Sequence, residues 1–330
     1  MSKNSGSPNT SKRLLIWALD PFDTEAKINE AAAVALENWK TSQKFELQPV
    51  YVAAPSGADA SLGLGVPVED LERSLDRYVQ RLKLSEPRAG QVLVNATDSR
   101  AGAIHQLLNY ARKEGAEMIC LTSHGRSGLS RLVLGSFAEN LLRASKWPVL
   151  FLSHQGKKPG SGKTLLFATD FSENSRAAFR TFLQKTDLRD GKVILFHAIS
   201  YPIPLAPMGT TFIPDHFYAD QKKWAVEEGN RWIGESTTAN CTFALEIRDA
   251  GLITNTGNTI LRAAQELGAG TVVMASTSGA IDRTLLGSAA YETFRAAEVP
   301  VLVYGPSAVK RSKMATRPVD EDELFSKTGE

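Results

Sequence analysis

The chain has 330 residues, 42% hydrophobic and 22% charged, with a formal net charge of +2. That length suggests two domains of ordinary size, each able to bury a core of its own. Lys and Arg are scattered, so no basic face for a nucleic acid stands out, and no stretch approaches the roughly 20 apolar residues of a membrane-crossing helix.

In chain order, Met1 to Lys12 is rich in Ser, Asn and Lys and lacks an apolar stretch of signal-peptide length, so residues 1–12 read as a disordered tail. A first half is then expected over residues 13–153. Its strands are predicted at Leu14 to Leu19, Leu47 to Ala53, Gln91 to Asn95, Met118 to Ser123 and Val149 to Leu152. Helical spacing is seen between them at Thr24 to Trp39, Val68 to Lys83, Ala101 to Lys113 and from Ser136. Residues 154–163, polar with Gly and Pro, read as a linker. The second half, 164–305, repeats the order. Its strands fall near Leu165 to Thr169, Val193 to Ile199, Phe243 to Ile247, Val272 to Ala275 and Val301 to Tyr304. Its helices fall near Ser175 to Gln184, Gln221 to Glu235, Thr259 to Leu267 and Ala289 to Ala297. Short apolar strands alternating with helices signal an α/β fold, here two doubly wound, five-stranded parallel sheets in tandem.

The duplication is visible in the residues themselves. Leu134-Gly135-Ser136-Phe137-Ala138 is answered by Leu286-Gly287-Ser288-Ala289-Ala290, Arg143-Ala144 by Arg295-Ala296, and Pro148-Val149-Leu150 by Pro300-Val301-Leu302, all at one offset of 152 residues. Two segments break the symmetry. Ser200 to Asp220 carries four prolines and the aromatics Tyr201, Phe212, Phe217 and Tyr218, and is expected to be a lid over the sheet edge. Residues 306–330, with a basic Lys310-Arg311-Ser312-Lys313 run and an Asp320-Glu321-Asp322-Glu323 cluster, read as a disordered tail. The two cysteines, Cys120 and Cys241, lie in no motif, which fits a reducing compartment and a cytoplasmic location.

Ligands of open parallel sheets bind outside the carboxyl ends of the strands. After the fourth strand comes Thr122-Ser123-His124-Gly125-Arg126-Ser127-Gly128, and ten residues beyond Gly125 come Gly135-Ser136 at a helix start. Glycines let a backbone approach a phosphate, and the free N–H groups of the next helix point at the anion. An ordinary Gly-bearing turn and a Ser N-cap with no ligand is the equal alternative from spacing alone. No second His or Cys is spaced to form a metal site with His124. There is no lysine-bearing P-loop after a strand, and no catalytic constellation stands out; Gly160-Ser161-Gly162-Lys163-Thr164 precedes a strand.

Ser-His-Gly-Arg-Ser-Gly, Leu-Gly-Ser, the helix with Ala138-Glu139 and Arg143, and Pro-Val-Leu together resemble the C-terminal signature of the universal stress protein family, and the resemblance spans both halves. It implies an adenine nucleotide α-hydrolase-like fold and an ATP site, with or without Mg2+, of pattern Gly-x2-Gly-x9-Gly-Ser/Thr. Here that pattern reads Thr122-x2-Gly125-x9-Gly135-Ser136, with Thr122 in place of the first glycine; a β-branched residue is stiff and ill-suited to positive φ. The resemblance further assigns Asp20 to the nucleoside, Val52 to the adenine, Ser123 and His124 to the loop, and Phe137 and Ala138 to backbone near the phosphates. In the second half only Asp170, Ala198, Gly287 and Ser288 answer these positions, and the offset puts Thr277 where Gly125 stands. One helix N-terminus contributes roughly 0.3–1 kcal/mol to an anion, whereas micromolar binding needs about 8 kcal/mol, so this second site is expected to bind ATP poorly. The implied role is nucleotide-responsive regulation under stress. Slow ATP hydrolysis or self-phosphorylation at Ser136 or Ser127, and a nucleotide-free scaffold, are the alternatives. Family members commonly dimerise through the last strand, which implies pairing of the two halves through 148–152 and 300–304; a homodimer of whole chains is a further assembly open to it.

Overall fold

The computed structural model describes residues 13–22, 26–53, 67–95, 97, 99–122, 136–152, 161–200, 216–236, 240–251, 255–276 and 288–309. The first half runs β1 (Arg13–Ala18), α1 (Ala26–Gln43), β2 (Phe45–Ala53), α2 (Val68–Arg81), β3 (Gln91–Val94), α3 (Arg100–Lys113), β4 (Met118–Thr122), α4 (Ser136–Ala144) and β5 (Val149–Leu152). The second runs β6 (Ser161–Ala168), α5 (Glu173–Lys185), β7 (Gly191–Ile199), α6 (Phe217–Gly234), β8 (Cys241–Asp249), α7 (Thr256–Glu266), β9 (Ala269–Ala275), α8 (Ser288–Ala296) and β10 (Val301–Tyr304).

Strands β4, β5, β9 and β10 are apolar runs because every residue in them is buried, with helices on both faces. Short polar side chains start three of the helices. Ser99 accepts from the Gly102 N–H, Ser172 from Ser175 and Asn255 from Asn258. Gly115 and Gly268 end α3 and α7 at φ +67 and +66, the left-handed conformation that glycine adopts without a Cβ penalty, and each sits just ahead of the next strand. These glycines are 153 residues apart, and their N–H groups make the same bond, to Arg112 O and Gln265 O, at 3.2 Å.

The two expected five-stranded sheets are present and join edge to edge into one ten-stranded sheet, through the strands within 148–152 and 300–304 expected to pair. The order is β3-β2-β1-β4-β5-β10-β9-β6-β7-β8, and the halves join where β5 and β10 pair antiparallel, with Val149 opposite Val303, Leu150 opposite Leu302 and Phe151 opposite Val301. Every other ladder is parallel. One face of this sheet packs against α1, α2, α5 and α6 through residues such as Trp17, Leu36, Leu75, Phe182 and Trp232. The other packs against α3, α4, α7 and α8 through Ile16, Leu107, Leu142, Ala263 and Phe294. Cys120 is wholly buried, and burial pushes its thiol up, in keeping with a small apolar core residue.

Three expected boundaries shift. β6 begins at Ser161, three residues inside the expected linker: Ser161 pairs with Ala269, and Gly162 lies close against Ser42 at the end of α1. α6 begins at Phe217, so Phe217 and Tyr218 belong to the helix and not to the expected lid, whose residues 201–215 lie outside the described residues. The expected C-terminal tail starts as structure: residues 306–309 form a helical turn with Ala308 and Val309 buried, because Gly305 carries the chain over the end of α4. There the Ser307 hydroxyl donates to Arg143 O at 3.1 Å. Residues 310–330 lie outside the described residues, as do residues 1–12.

A second set of contacts joins the halves away from β5 and β10. The buried Gln43 amide donates to Asp187 O at 3.2 Å and accepts from Asp187 N at 2.9 Å, and Arg13 donates to Lys185 O. The Arg189 guanidinium beside Asp187 holds its carboxyl well below the usual range, with Lys44 adding 3.4 Å away.

A Cβ at Gly305 would lie 2.3 Å from Leu142 O, a backbone atom that cannot give way alone. Gly305→Val is therefore expected to lower unfolding stability by about 3 kcal/mol, the upper end of overpacking costs, measured by urea denaturation against the wild type.

Candidate functional site

In the first half the strand order reverses between β1 and β4: from β1 the chain steps outward to β2 and β3, then returns on the other side at β4. β1 is followed by α1 on one face and β4 by α4 on the other, and in open parallel sheets ligands bind outside the carboxyl ends at such a switch point. Asp20 stands just past β1 and is exposed, with Oδ1 accepting the Phe22 N–H at 2.9 Å to close the turn. Its carboxylate lies beside the end of β2. Burial first, and the Asp20 charge second, push the Tyr51 phenol above its ordinary value. The Tyr51 ring meets Phe22 edge-on at 5.6 Å. The next residue, Val52, points to the opposite face and packs partly against the core under α3 and α4.

Thr122, the last residue of β4, pairs with Leu152. Its hydroxyl accepts the Trp17 indole N–H at 3.1 Å, and the side chain is 7% exposed. The expectation that this threonine strains the loop is corrected: it occupies an extended strand position, not one of the left-handed ones, and β-branching suits it there. At the other wall, Ser136 opens α4 and is exposed, while Phe137 and Ala138 turn partly into the core of the same face. Ser123, His124, Gly125, Gly135 and Gly287 lie outside the described residues. The described residues thus bring Asp20, Val52, Thr122 and the first turn of α4 to one end of the sheet.

The second half copies the entrance and alters what surrounds it. Asp170 accepts the Ser172 N–H at 3.0 Å, as Asp20 does from Phe22. Between them, however, Phe171 replaces Pro21 and adopts φ +58, a conformation uncommon for a bulky side chain. Its ring packs against His197 at 5.0 Å, Trp232 at 5.2 Å and Trp224 at 5.6 Å. Thr169 steadies the turn, accepting from the Phe171 N–H at 2.9 Å and meeting Ser175 Oγ at 2.9 Å. His197 Nδ1 lies 2.8 Å from Thr169 O. A carbonyl only accepts, so Nδ1 carries the proton. Ala198 follows His197 and is buried, and Ser288 opens α8.

The described residues contain no group of three His, Cys, Asp or Glu side chains able to hold a metal ion, and no helix long and apolar enough to cross a membrane. The model of the Universal stress protein family matches residues 11–153 and again residues 162–305. The chain belongs to that family. It is 24% identical over 147 residues to Universal stress protein YxiE of Bacillus subtilis, which spans 42% of this chain and 97% of the relative. To Universal stress protein A homolog 2 of Coxiella burnetii it is 25% identical over 153 residues, 45% of this chain and 98% of the relative. Each relative therefore corresponds to one half. The fold of the whole chain is matched by a universal stress protein structure from Archaeoglobus fulgidus DSM 4304, with a TM-score of 0.50 at 17% identity over 88% of this chain and 95% of that one. A Pseudomonas aeruginosa UCBPP-PA14 structure matches with a TM-score of 0.54, also at 17% identity, over 93% and 99%.

Between these two universal stress protein halves the strand registers correct one alignment. Thr122 pairs with Leu152, and Ala275 with Tyr304. The fourth strands are thus offset by 153 residues, while the last strands are offset by 152. The segment between β9 and α8, residues 276–287, is one residue shorter than its counterpart, residues 123–135. Counted from the strand ends, Ser278 and not Thr277 answers Gly125, and the second half reads Ala275-x2-Ser278-x8-Gly287-Ser288. Sequence reading passed over Phe171, His197 and Trp224. Their one visible signal was Phe171 standing where the first half has a proline.

Burial pushes the His197 imidazole below its ordinary value, against the opposing pull of Thr169 O and Asp170. Its folded pKa therefore lies below the unfolded one near 6.5, and below that pH the unfolded chain binds the extra proton, so stability falls with acidification. Thermal melts between about pH 7.5 and 5.5 are expected to show a declining melting temperature, with a shallower decline in His197→Phe, which keeps a ring and removes the titration.

Proposed function

We infer that the chain is a nucleotide-responsive regulatory protein that takes an adenine nucleotide, ATP by the pattern of its loop, in the first half alone. The observation that carries this reading is the convergence of an exposed carboxylate, Asp20, and the first turn of α4 on the mouth between β1 and β4, with the Thr122 and Phe137 side chains turned into the protein. Residues suited to hold the nucleotide are Asp20 at the ribose end, Val52 beside the base, and the backbone from Thr122 through Ser123, His124 and Gly125 to Gly135, Ser136, Phe137 and Ala138 at the phosphates. The first turn of α4 would offer that anion its N–H groups and the positive end of its dipole. The reading is one of binding. Occupancy acts as a signal through what it stabilises.

The second half is read as structural. Its counterpart of the glycine loop has Ser278 in place of Gly125 and is one residue shorter, and Phe171 lies packed over the end of β7. A cytoplasmic location accords with the two unpaired cysteines.

Equilibrium binding of labelled ATP tests the assignment. Gly125→Val and Asp20→Ala are each expected to weaken binding by tenfold or more, and Gly287→Val by less than about twofold, where tenfold corresponds to about 1.4 kcal/mol. Equal loss from Gly125→Val and Gly287→Val would contradict a site confined to the first half.

A further inference from the structure

The carboxyl ends of β1, β2 and β3 carry a row of apolar side chains in contact with water. Phe22, just past β1, is 52% exposed, and Val94, the last residue of β3, is 53% exposed. Tyr51 of β2 stands between them, half-buried, with its ring edge-on to Phe22. It shares a face of the sheet with Val94, because Ala53 pairs with Val94 and alternate residues of a strand lie on one side. In the second half the three counterparts are polar. Ser172 stands where Phe22 stands, its N–H bonded to the preceding aspartate in the same way. His197 answers Tyr51, since Ala198 answers Val52, and Asp249 answers Val94, being paired with Ile199 as Val94 is with Ala53. The aromatic residue of that second turn, Phe171, packs on Trp232 and His197 instead. One copy of the fold therefore stands without the row, so packing of the sheet does not require it in the other.

The chemistry of the row selects what it meets. Its charge is the Asp20 carboxylate, whose field reaches the Tyr51 phenol and which repels phosphate. The anionic end of a nucleotide therefore belongs across the mouth, at α4, and the neutral, planar base is the part that an apolar ring takes. Position agrees with chemistry. Asp20 Oδ1 accepts the Phe22 N–H at 2.9 Å, so the carboxylate read at the ribose and the exposed ring belong to one fixed turn. The other carboxylate oxygen is left for the sugar. Val52 follows Tyr51 on β2 and lies on the opposite face of the sheet. We propose that Phe22 is the base platform of the first-half site: the base lies across the end of β2, with Val52 on its α4 side and the Phe22 ring, backed by Tyr51, on its α1 side. The platform rests on the nucleotide reading above and adds how the base is held, by its π-face rather than by hydrogen bonds to its edge. Covering an exposed ring also removes apolar surface from water.

Equilibrium binding of labelled ATP to the full chain tests this, with unlabelled adenosine and inorganic triphosphate as competitors. Removing an exposed ring opens no cavity in the core, so Phe22→Ala is expected to keep the wild-type circular dichroism spectrum. It is expected to weaken ATP and adenosine each about tenfold, equal to about 1.4 kcal/mol, a loss within reach of base stacking on one ring. Competition by inorganic triphosphate is expected to stay within about twofold of the wild type. Phe22→Trp, which keeps a π-face, is expected to hold ATP within about threefold. A wild type that binds no ATP would sink the nucleotide reading and the platform with it. ATP binding that is indifferent to Phe22→Ala would overturn the platform alone and leave the nucleotide reading standing. Equal weakening of ATP and triphosphate would also overturn it, since the ring would then shape the mouth without meeting the base.

Discussion

The short antiparallel ladder between β5 and β10 is the contact on which the rest of the molecule depends. Each half on its own would expose a fully apolar terminal strand, Val-Leu-Phe-Leu or Val-Leu-Val-Tyr, with an unpaired backbone edge. Pairing them removes both edges at once and makes the two helical layers continuous across the seam. Each core then contains residues of both halves, Leu150 with Leu302 under one layer and Phe151 with Phe294 under the other, their rings 4.7 Å apart. The polar contacts from Gln43 to Asp187 fix the angle between the halves more than they hold them together, since two hydrogen bonds contribute on the order of 1–3 kcal/mol.

Most of the architecture was legible because strands buried on both faces leave an unambiguous trace. Met118-Ile119-Cys120-Leu121 or Val193-Ile194-Leu195 has no other comfortable place in a water-soluble fold. What escaped sequence reading was set by contacts distant along the chain. Ser161 joins a strand because Ala269 and α1 lie beside it, and residues 306–309 fold because the end of α4 is there to receive them. Nothing local in Gly-Ser-Gly or Pro-Ser-Ala-Val announces either outcome. The candidate site divides in the same way. Asp20 and Ser136 could be placed from their neighbours, whereas the inward turn of Thr122 depends on Trp17, 105 residues away.

Duplication followed by divergence is recorded in a few positions. Where the first half has Pro21, the second has Phe171 in a left-handed conformation that costs on the order of 1–3 kcal/mol and persists only because the surroundings enforce it. Those surroundings are His197, Trp224 and Trp232, so one substitution is supported by aromatic residues on two further elements. An entrance that once matched its twin has become part of the packing, and the carboxylate turn at Asp170 survives inside a different environment.

The placement of α4 ties these observations together mechanically. Its nine residues span about 13 Å. The N-terminal end borders the mouth of the first half, and the C-terminal carbonyls of Leu142 and Arg143 bear directly on Gly305 and Ser307 of the second. A hydrogen-bonded helix moves as a rod. One short rod thus has one end at the mouth of the first half and the other against the chain leaving β10, so both places are built on a single rigid element.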